Sequence, residues 1–242
     1  ILLTKLDANG SVQWSHALGG SEAEYGVSCV EASDGSILVM GNTGSVDGDV
    51  TGTQGIQDIW VVKLSAQGTL LWQRTYGGSG SENGVRHIRD TPDGGFMMHG
   101  LTTSVDGDVT DLNGPGAQDH WIVKVNASGD IEWNRTLGGS EAEYGIDVMP
   151  TPDGGYIVNF AYVRSNDGDV VNYRGDDDCW LVKLNATGGI VWSLTIGGSA
   201  QDQGMDTHVL PNGDIVILGH TRSTDGDIQE NQGSYDILLA KV

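Results

Sequence analysis

Basic residues are scarce in this 242-residue chain: 12 Lys and Arg stand against 33 Asp and Glu, for a formal charge of −21. A field of that sign repels phosphate backbones and anionic headgroups, which argues against nucleic acid as a partner and favours cations or cationic surfaces. Cysteine is nearly absent. Cys29 and Cys179 have no metal-ligand spacing, so neither a disulfide framework nor a zinc site is indicated, and two buried thiols are expected. No apolar run approaches the roughly 18 residues of a membrane span, which argues against direct membrane insertion. No basic segment followed by an apolar stretch marks a signal peptide, and Ile1 already lies in a strand-like segment, as expected of a mature product or part of a longer protein. With 5 prolines and 19% charged residues the chain is neither disordered nor collagen-like.

Glycine, by contrast, is abundant at 38 residues, and much of it recurs on a fixed beat. Trp14, Trp72, Trp133 and Trp192 return every 58 to 61 residues. Lys5, Lys63, Lys124, Lys183 and Lys241 keep the same period, as do four Asp-Gly-Asp triplets. Three markers in register define a tandem repeat. Repeat boundaries fall at 1-57, 58-118, 119-177 and 178-235, with 236-242 a partial fifth copy, the whole forming a single repeat domain over 1-242.

Each repeat reads as four short strands, in the second copy Asp58 to Leu64, Thr69 to Tyr76, Gly84 to Asp90 and Gly95 to Thr103. Gly10, Gly68, Gly129 and Gly188 mark the first turn. Asp34-Gly35, Asp93-Gly94, Asp153-Gly154 and Asn212-Gly213 mark the third. The remaining connection, from Ser104 to Gln118 in this copy, is long. These features predict an all-β chain: a β-propeller, or a segment of one, of four-stranded antiparallel blades, with the long connection crossing between blades. The opening ILLTKL matches the closing ILLAKV, which leaves one extra strand that can close a ring, pair with another copy, or belong to an array with further blades.

The acidic residues fall in register too. Asp47 and Asp49, Asp106 and Asp108, Asp167 and Asp169, and Asp225 and Asp227 flank the triplet glycines, and a further aspartate opens the next strand at Asp58, Asp119, Asp178 and Asp236. Calcium takes six to eight oxygens, and carboxylates two apart across a glycine offer a flexible set, so the pattern predicts repeated calcium sites. It departs from an EF-hand loop in lacking the alternating fourth ligand and the terminal glutamate. Alternating strand direction places the loop after strand two and the loop after strand four at one end, so Glu24, Glu82, Glu143 and Asp202 are candidate additional ligands. The competing expectation is that these aspartates cap turns by accepting backbone amides.

The repeated lysine is expected to form structural ion pairs, and Trp60, Trp121 and Trp180 to be core. The six histidines share no register. No nucleophile elbow, phosphate loop or dinucleotide fingerprint is present. Asn126, Asn134 and Asn185 begin glycosylation sequons.

The composite pattern, seen as DIWVVKL, LLWQRTYGGS, TPDGG before an apolar strand, and SVDGDV, resembles the propeller repeats of secreted and cell-surface proteins of bacteria and archaea. The resemblance covers essentially the whole chain. It implies extracellular or cell-surface location, and carries no catalytic set onto these residues. The expected function is a non-enzymatic scaffold or adhesion module, stabilised by calcium, with copies of itself or another cell-surface protein or glycan as partners. The alternative is a polysaccharide-acting enzyme, a glycosidase or lyase, whose site would break the repeat symmetry, as Arg164, Arg174 and the run Asp176 to Asp178 do locally.

Overall fold

The structure, a computed structural model, describes residues 1–110, 118–141 and 143–242, and among these no residue is helical. The chain is all-β. Its complete sheets are antiparallel and repeat one pattern: β3 (Glu24–Glu31), β4 (Ile37–Thr43), β5 (Asp58–Leu64) and β6 (Leu70–Tyr76) form one, in that order. The next runs β7 (Glu82–Asn83) and β8 (Ile88–Asp90), both on β9 (Phe96–Thr102), then β10 (Asp119–Val125) and β11 (Ile131–Leu137). β12 (Tyr144–Pro150), β13 (Tyr156–Val163), β14 (Asp178–Leu184) and β15 (Ile190–Ile196) form the third. Before these comes a two-stranded sheet of β1 (Leu2–Leu6) and β2 (Val12–Ala17), and after them a three-stranded sheet of β16 (Asp202–Val209), β17 (Ile215–Thr221) and β18 (Asp236–Lys241).

The sheets are therefore out of phase with the blades expected from the sequence. The long Asp-Gly-Asp connection does not cross between sheets; it joins β4 to its own neighbour β5. The crossing is the short Gly-Gly-Ser link after β6. The reason is reach: five extended residues span well over the ~10 Å between stacked sheets. The second repeat's long connection, 104–118, lies partly outside the described residues. The extra first strand is explained by the same shift, since β1 heads the two-stranded sheet and β18 ends the three-stranded one.

A second departure concerns the third strand of the second repeat, read as Gly84 to Asp90. It is two short strands, β7 and β8, separated at Gly84, whose φ is 61°. The other three copies keep one strand but shift register at the equivalent Gly26, Gly145 and Gly204, so every copy carries a bulge here.

The chain forms two compact units, Ile1–Asp111 with Trp121–Asn134, and Leu112–His120 with Arg135–Val242. Strand alternation gives each sheet two apolar faces. One carries Ile59, Val61 and the repeated lysine; the other carries Trp60, Val62 and Leu64. In the first unit the lysine face of β3–β6 packs on the indole face of the following sheet, joining Met40, Ile59 and Val61 to Met98, Trp121 and Val123. Likewise Ile1, Leu3 and Trp14 pack on Trp60, Val62 and Leu64. In the second unit Cys179 and Leu181 pack on Ile217 and Leu238. Trp60, Trp121 and Trp180 are wholly buried, and each indole N–H donates to the next strand, to Gln73, Asn134 and Ser193.

Cys179 is buried, as expected, and burial pushes its thiol up to about 12. Cys29, expected to be buried, is exposed. It lies on β3 opposite Val39, on the face that packs against the two-stranded sheet.

Candidate functional site

The Gly-Gly-Ser link and the Asp-Gly-Asp loop meet in every repeat, at the end of the sheet where the sequence places both acidic sets. The glycine of the triplet has φ between 62° and 67° at Gly48, Gly107, Gly168 and Gly226. A Cβ there would lie under 3.0 Å from the carbonyl oxygen of Gly19, Gly77, Gly138 or Gly197. Backbone is thus laid on backbone, which only glycine permits.

Around that contact each carboxylate accepts a specific N–H. The first triplet aspartate takes a serine amide: Asp47 from Ser21 at 2.7 Å, Asp106 from Ser79 at 2.7 Å, Asp167 from Ser140 at 2.8 Å and Asp225 from Ser199 at 2.7 Å. The second takes a glycine amide: Asp49 from Gly19 at 3.1 Å, Asp108 from Gly77 at 3.1 Å, Asp169 from Gly138 at 3.5 Å and Asp227 from Gly197 at 3.3 Å. Glu24, Glu82, Glu143 and Asp202 accept from the amides of Gly20, Gly78, Gly139 and Gly198. The strand-opening Asp58, Asp178 and Asp236 accept from Gln54, Arg174 and Gln232, four residues earlier. Asp119, fully buried, lies close enough to Glu143 for its charge to act on it.

One member of the set was missed from sequence. Ser45, Ser104, Ser165 and Ser223 each donate a hydroxyl to the carboxylate of Glu24, Glu82, Glu143 or Asp202, and each accepts an amide from the opposite loop at 2.9 Å. The signal was present: a serine stands two residues before every Asp-Gly-Asp. Serine is the bridge because it donates and accepts at once.

The electrostatics follow from this wiring. Burial pushes the Asp58 carboxyl up to about 6, with the Glu82 and Asp108 charges adding to the push. Asp178 is likewise raised by burial to about 6, aided by Asp202 and Asp227, and its Oδ1 is buried with no hydrogen-bond partner. Burial also raises Glu143, with Asp119 contributing. At Glu24 burial acts upward, but the Ser45 hydroxyl, the Gly20 amide and the Thr43 hydroxyl outweigh it and hold the group below its ordinary value. A carboxyl with a raised value, as at Asp58 and Asp178, resembles a general acid. Asp58, Glu82, Asp178 and Asp202 are all fully buried.

The calcium ligands expected from sequence are thus brought to one end of each sheet, but as acceptors for the neighbouring loop. Among the described residues no group of three or more His, Cys, Asp or Glu is arranged to hold a metal ion.

The repeated lysine sits at the other end. Lys63 pairs with Asp34 at 3.1 Å, Lys124 with Asp93 at 2.9 Å and with Glu132 at 2.7 Å, and Lys183 with Asp153 at 2.8 Å. In the last repeat Asn212 replaces the turn aspartate, and Asp214 takes over as partner to Lys241 at 2.5 Å. Lys5 instead donates to the Ala66 carbonyl at 3.1 Å. Hydrogen bonds from Ser36 and Lys63 hold Asp34 down at about 2; at Asp93 burial acts upward but Thr91 and Lys124 prevail, again to about 2.

The sequon asparagines have structural partners. Asn126 and Asn185 accept the amides of their own turns, and Asn134 Oδ1, on β11, accepts from Trp121 and Thr110. The sequon hydroxyl of Thr136 is buried. In the irregular third repeat, Asp177 is buried and accepts from Arg164 at 2.6 Å, Gln201 at 2.5 Å and Gln203 at 2.8 Å, which holds its carboxyl low against burial. Arg174 pairs with Asp227 at 2.7 Å. Both arginines therefore close loops.

No family model matches the chain. It is 25% identical over 173 residues to the regulatory protein FlaEY of Caulobacter vibrioides, a match covering 66% of this chain and 18% of that protein. The chain thus spans about a fifth of the length of that curated relative. Among solved structures it is similar to a protein of unknown function from Bacteroides caccae, at 16% identity and a TM-score of 0.42 over 89% of this chain and 81% of that one. It is also similar to a chimera of ACO and RPE65, at 14% identity and a TM-score of 0.49 over 99% and 54%. At these scores neither likeness assigns an activity.

Proposed function

We propose that the chain is a non-enzymatic scaffold or adhesion module of the cell surface, its sheets acting as blades of a β-propeller or propeller segment. One observation carries this: the polar residues that recur in every repeat are engaged within the repeat array itself. The acidic set latches one loop to the next, and the lysines from Lys63 onward pair with turn aspartates. What remains for partners is the surface, acidic overall and regular in spacing, which suits a cell-surface protein or glycan, or further copies of the chain. The location follows from the resemblance of the repeats to secreted and cell-surface propeller proteins.

A glycan array combined with a polysaccharide hydrolase and lyase screen tests this. Binding without turnover is the expected result; turnover of any polymer contradicts it and supports the enzyme reading.

A further inference from the structure

The recurrent polar residues are engaged within the array, so a partner site requires residues that do not recur. At the loop end of the third repeat several such departures coincide. Tyr162, opposite Tyr144, stands where the other copies have Asn42, Leu101 and His220, and Arg164 where they have Gly44, Thr103 and Arg222. Tyr173 stands in place of Thr53 and Asn231. β13 also carries a bulge between Phe160 and Val163, absent where β4 and β17 pair with their following strands. Bulges re-aim side chains and are frequent beside functional sites. Asn172, next to Tyr173, is the one non-glycine at positive φ among the described residues, at 59°, a conformation few side chains adopt. Thr195 holds this turn by donating its hydroxyl to the Val171 and Asn172 carbonyls at 2.9 and 3.0 Å.

Arg164 is fixed in place yet open to solvent. Its Nε donates to the buried Asp177 at 2.6 Å, and its guanidinium lies 4.9 Å over the Tyr162 ring, which stacks on Tyr144 at 5.7 Å. Gln201 and Gln203 hold Asp177 from the next sheet. Tyr173 lies near enough for the Arg164 charge to act on its hydroxyl. The Arg164 side chain is 51% exposed, and among the described residues neither of its Nη groups has a partner. All these groups belong to the second compact unit. Their exposure is a property of the loop end itself, since in the first unit Ile56, at the place of Asp176, is 77% exposed.

We infer that Arg164, Tyr162 and Tyr173 form a subsite for a neutral sugar ring of a glycan. The two Nη groups supply donors in a fixed fork for sugar hydroxyl oxygens. The Tyr173 hydroxyl donates to the Asp176 carbonyl at 3.0 Å, which leaves its oxygen to accept from the sugar. Tyrosine is apolar in body and polar at its tip, which matches a pyranose with a C–H face and a hydroxylated rim. Neutrality follows from charge: Asp177 already offsets Arg164, and a chain of −21 repels an anionic sugar. This rests on the scaffold reading and gives its glycan partner a chemical class.

The test is calorimetric titration of the full chain with cellohexaose, mannohexaose and galactohexaose as neutral probes and with polygalacturonate and alginate fragments as acidic ones, each sugar being chromatographed afterwards for cleavage. At least one neutral probe is expected to bind, and none to be cleaved. Arg164→Ala and Tyr173→Ala should each weaken that binding at least about tenfold. Arg222→Ala, at the same place in the fourth repeat, should leave it unchanged. Arg164→Lys keeps a charge beside Asp177 but lacks the fork, so it should lose binding as Arg164→Ala does while keeping the wild-type melting temperature. Failure of every neutral probe to bind, tighter binding of the acidic ones, or neutral binding that survives both Arg164 variants overturns the subsite. Uncleaved binding that is lost in Arg222→Ala and kept in the Arg164 variants refutes the subsite alone; cleavage of any probe refutes the scaffold reading.

Discussion

The two ends of each sheet use the same residue, aspartate, to opposite effect. At the loop end Asp58 and Asp178 are fully buried and raised to about 6. At the hairpin end Asp34 and Asp93 are exposed, hold a lysine each, and are lowered to about 2. The acidic loops are therefore not a reservoir of free charge. Their carboxylates replace the sheet hydrogen bonds that irregular backbone lacks, which is the requirement on any buried connection.

Substituting one glycine at each end separates the two most strongly. Gly107→Ala puts a methyl against the Gly77 carbonyl at positive φ and is expected to cost ~2–4 kcal/mol in urea unfolding. Gly94→Ala, at φ 82° but with nothing within 4 Å, is expected to cost only ~1 kcal/mol. Equal losses would remove the distinction between a packed latch and an open turn.

Acidity separates the ends next. Asp58 and Asp178 bind protons more tightly in the folded chain than at the ordinary value of 3.8, so their contribution favours folding below about pH 4 and is lost as pH rises through 6. Asp34 and Asp93 contribute stability above about pH 4 that is lost as pH falls toward 2. The stability deficit of Asp58→Asn relative to wild type should therefore shrink between pH 4 and 7, by ~1–3 kcal/mol. The deficit of Asp93→Asn should grow between pH 2 and 4, by under ~1 kcal/mol because the group is exposed. Denaturant titrations at those pH values check both signs, and a shared sign would contradict the account.

Lysine substitutions give the smallest effects and grade the hairpin end. Lys124 is buried between Asp93 and Glu132, and Lys124→Met is expected to cost ~1 kcal/mol. Lys241 is 61% exposed, and Lys241→Met should change stability by less than ~0.5 kcal/mol.

Much of this was legible in the sequence because it rests on local chemistry. The period, the Asp-Gly hairpins and the meeting of the two acidic loops follow from turn residues and strand alternation. The phase of the sheets did not, because connection length misleads here. The long Asp-Gly-Asp loop stays within its sheet, folding back over the Gly-Gly-Ser link, while that link, which reads as a turn, makes the crossing. The bridging serines recur at Ser45, Ser104, Ser165 and Ser223 but look like ordinary loop residues until their partners are placed. The exposure of Cys29 depends on the width of the neighbouring sheet, which no local pattern encodes.

If the hydrogen bonds from backbone amides and serine hydroxyls to the repeated carboxylates are what closes the acidic loops, calcium adds nothing to their stability. Thermal unfolding with excess chelator and with millimolar calcium tests it directly, since a site holding calcium at 100 times its Kd would add about 2.7 kcal/mol. Superimposable melts are the predicted result. A melting temperature that falls with chelator and recovers with calcium would contradict the claim and make the loops cation sites.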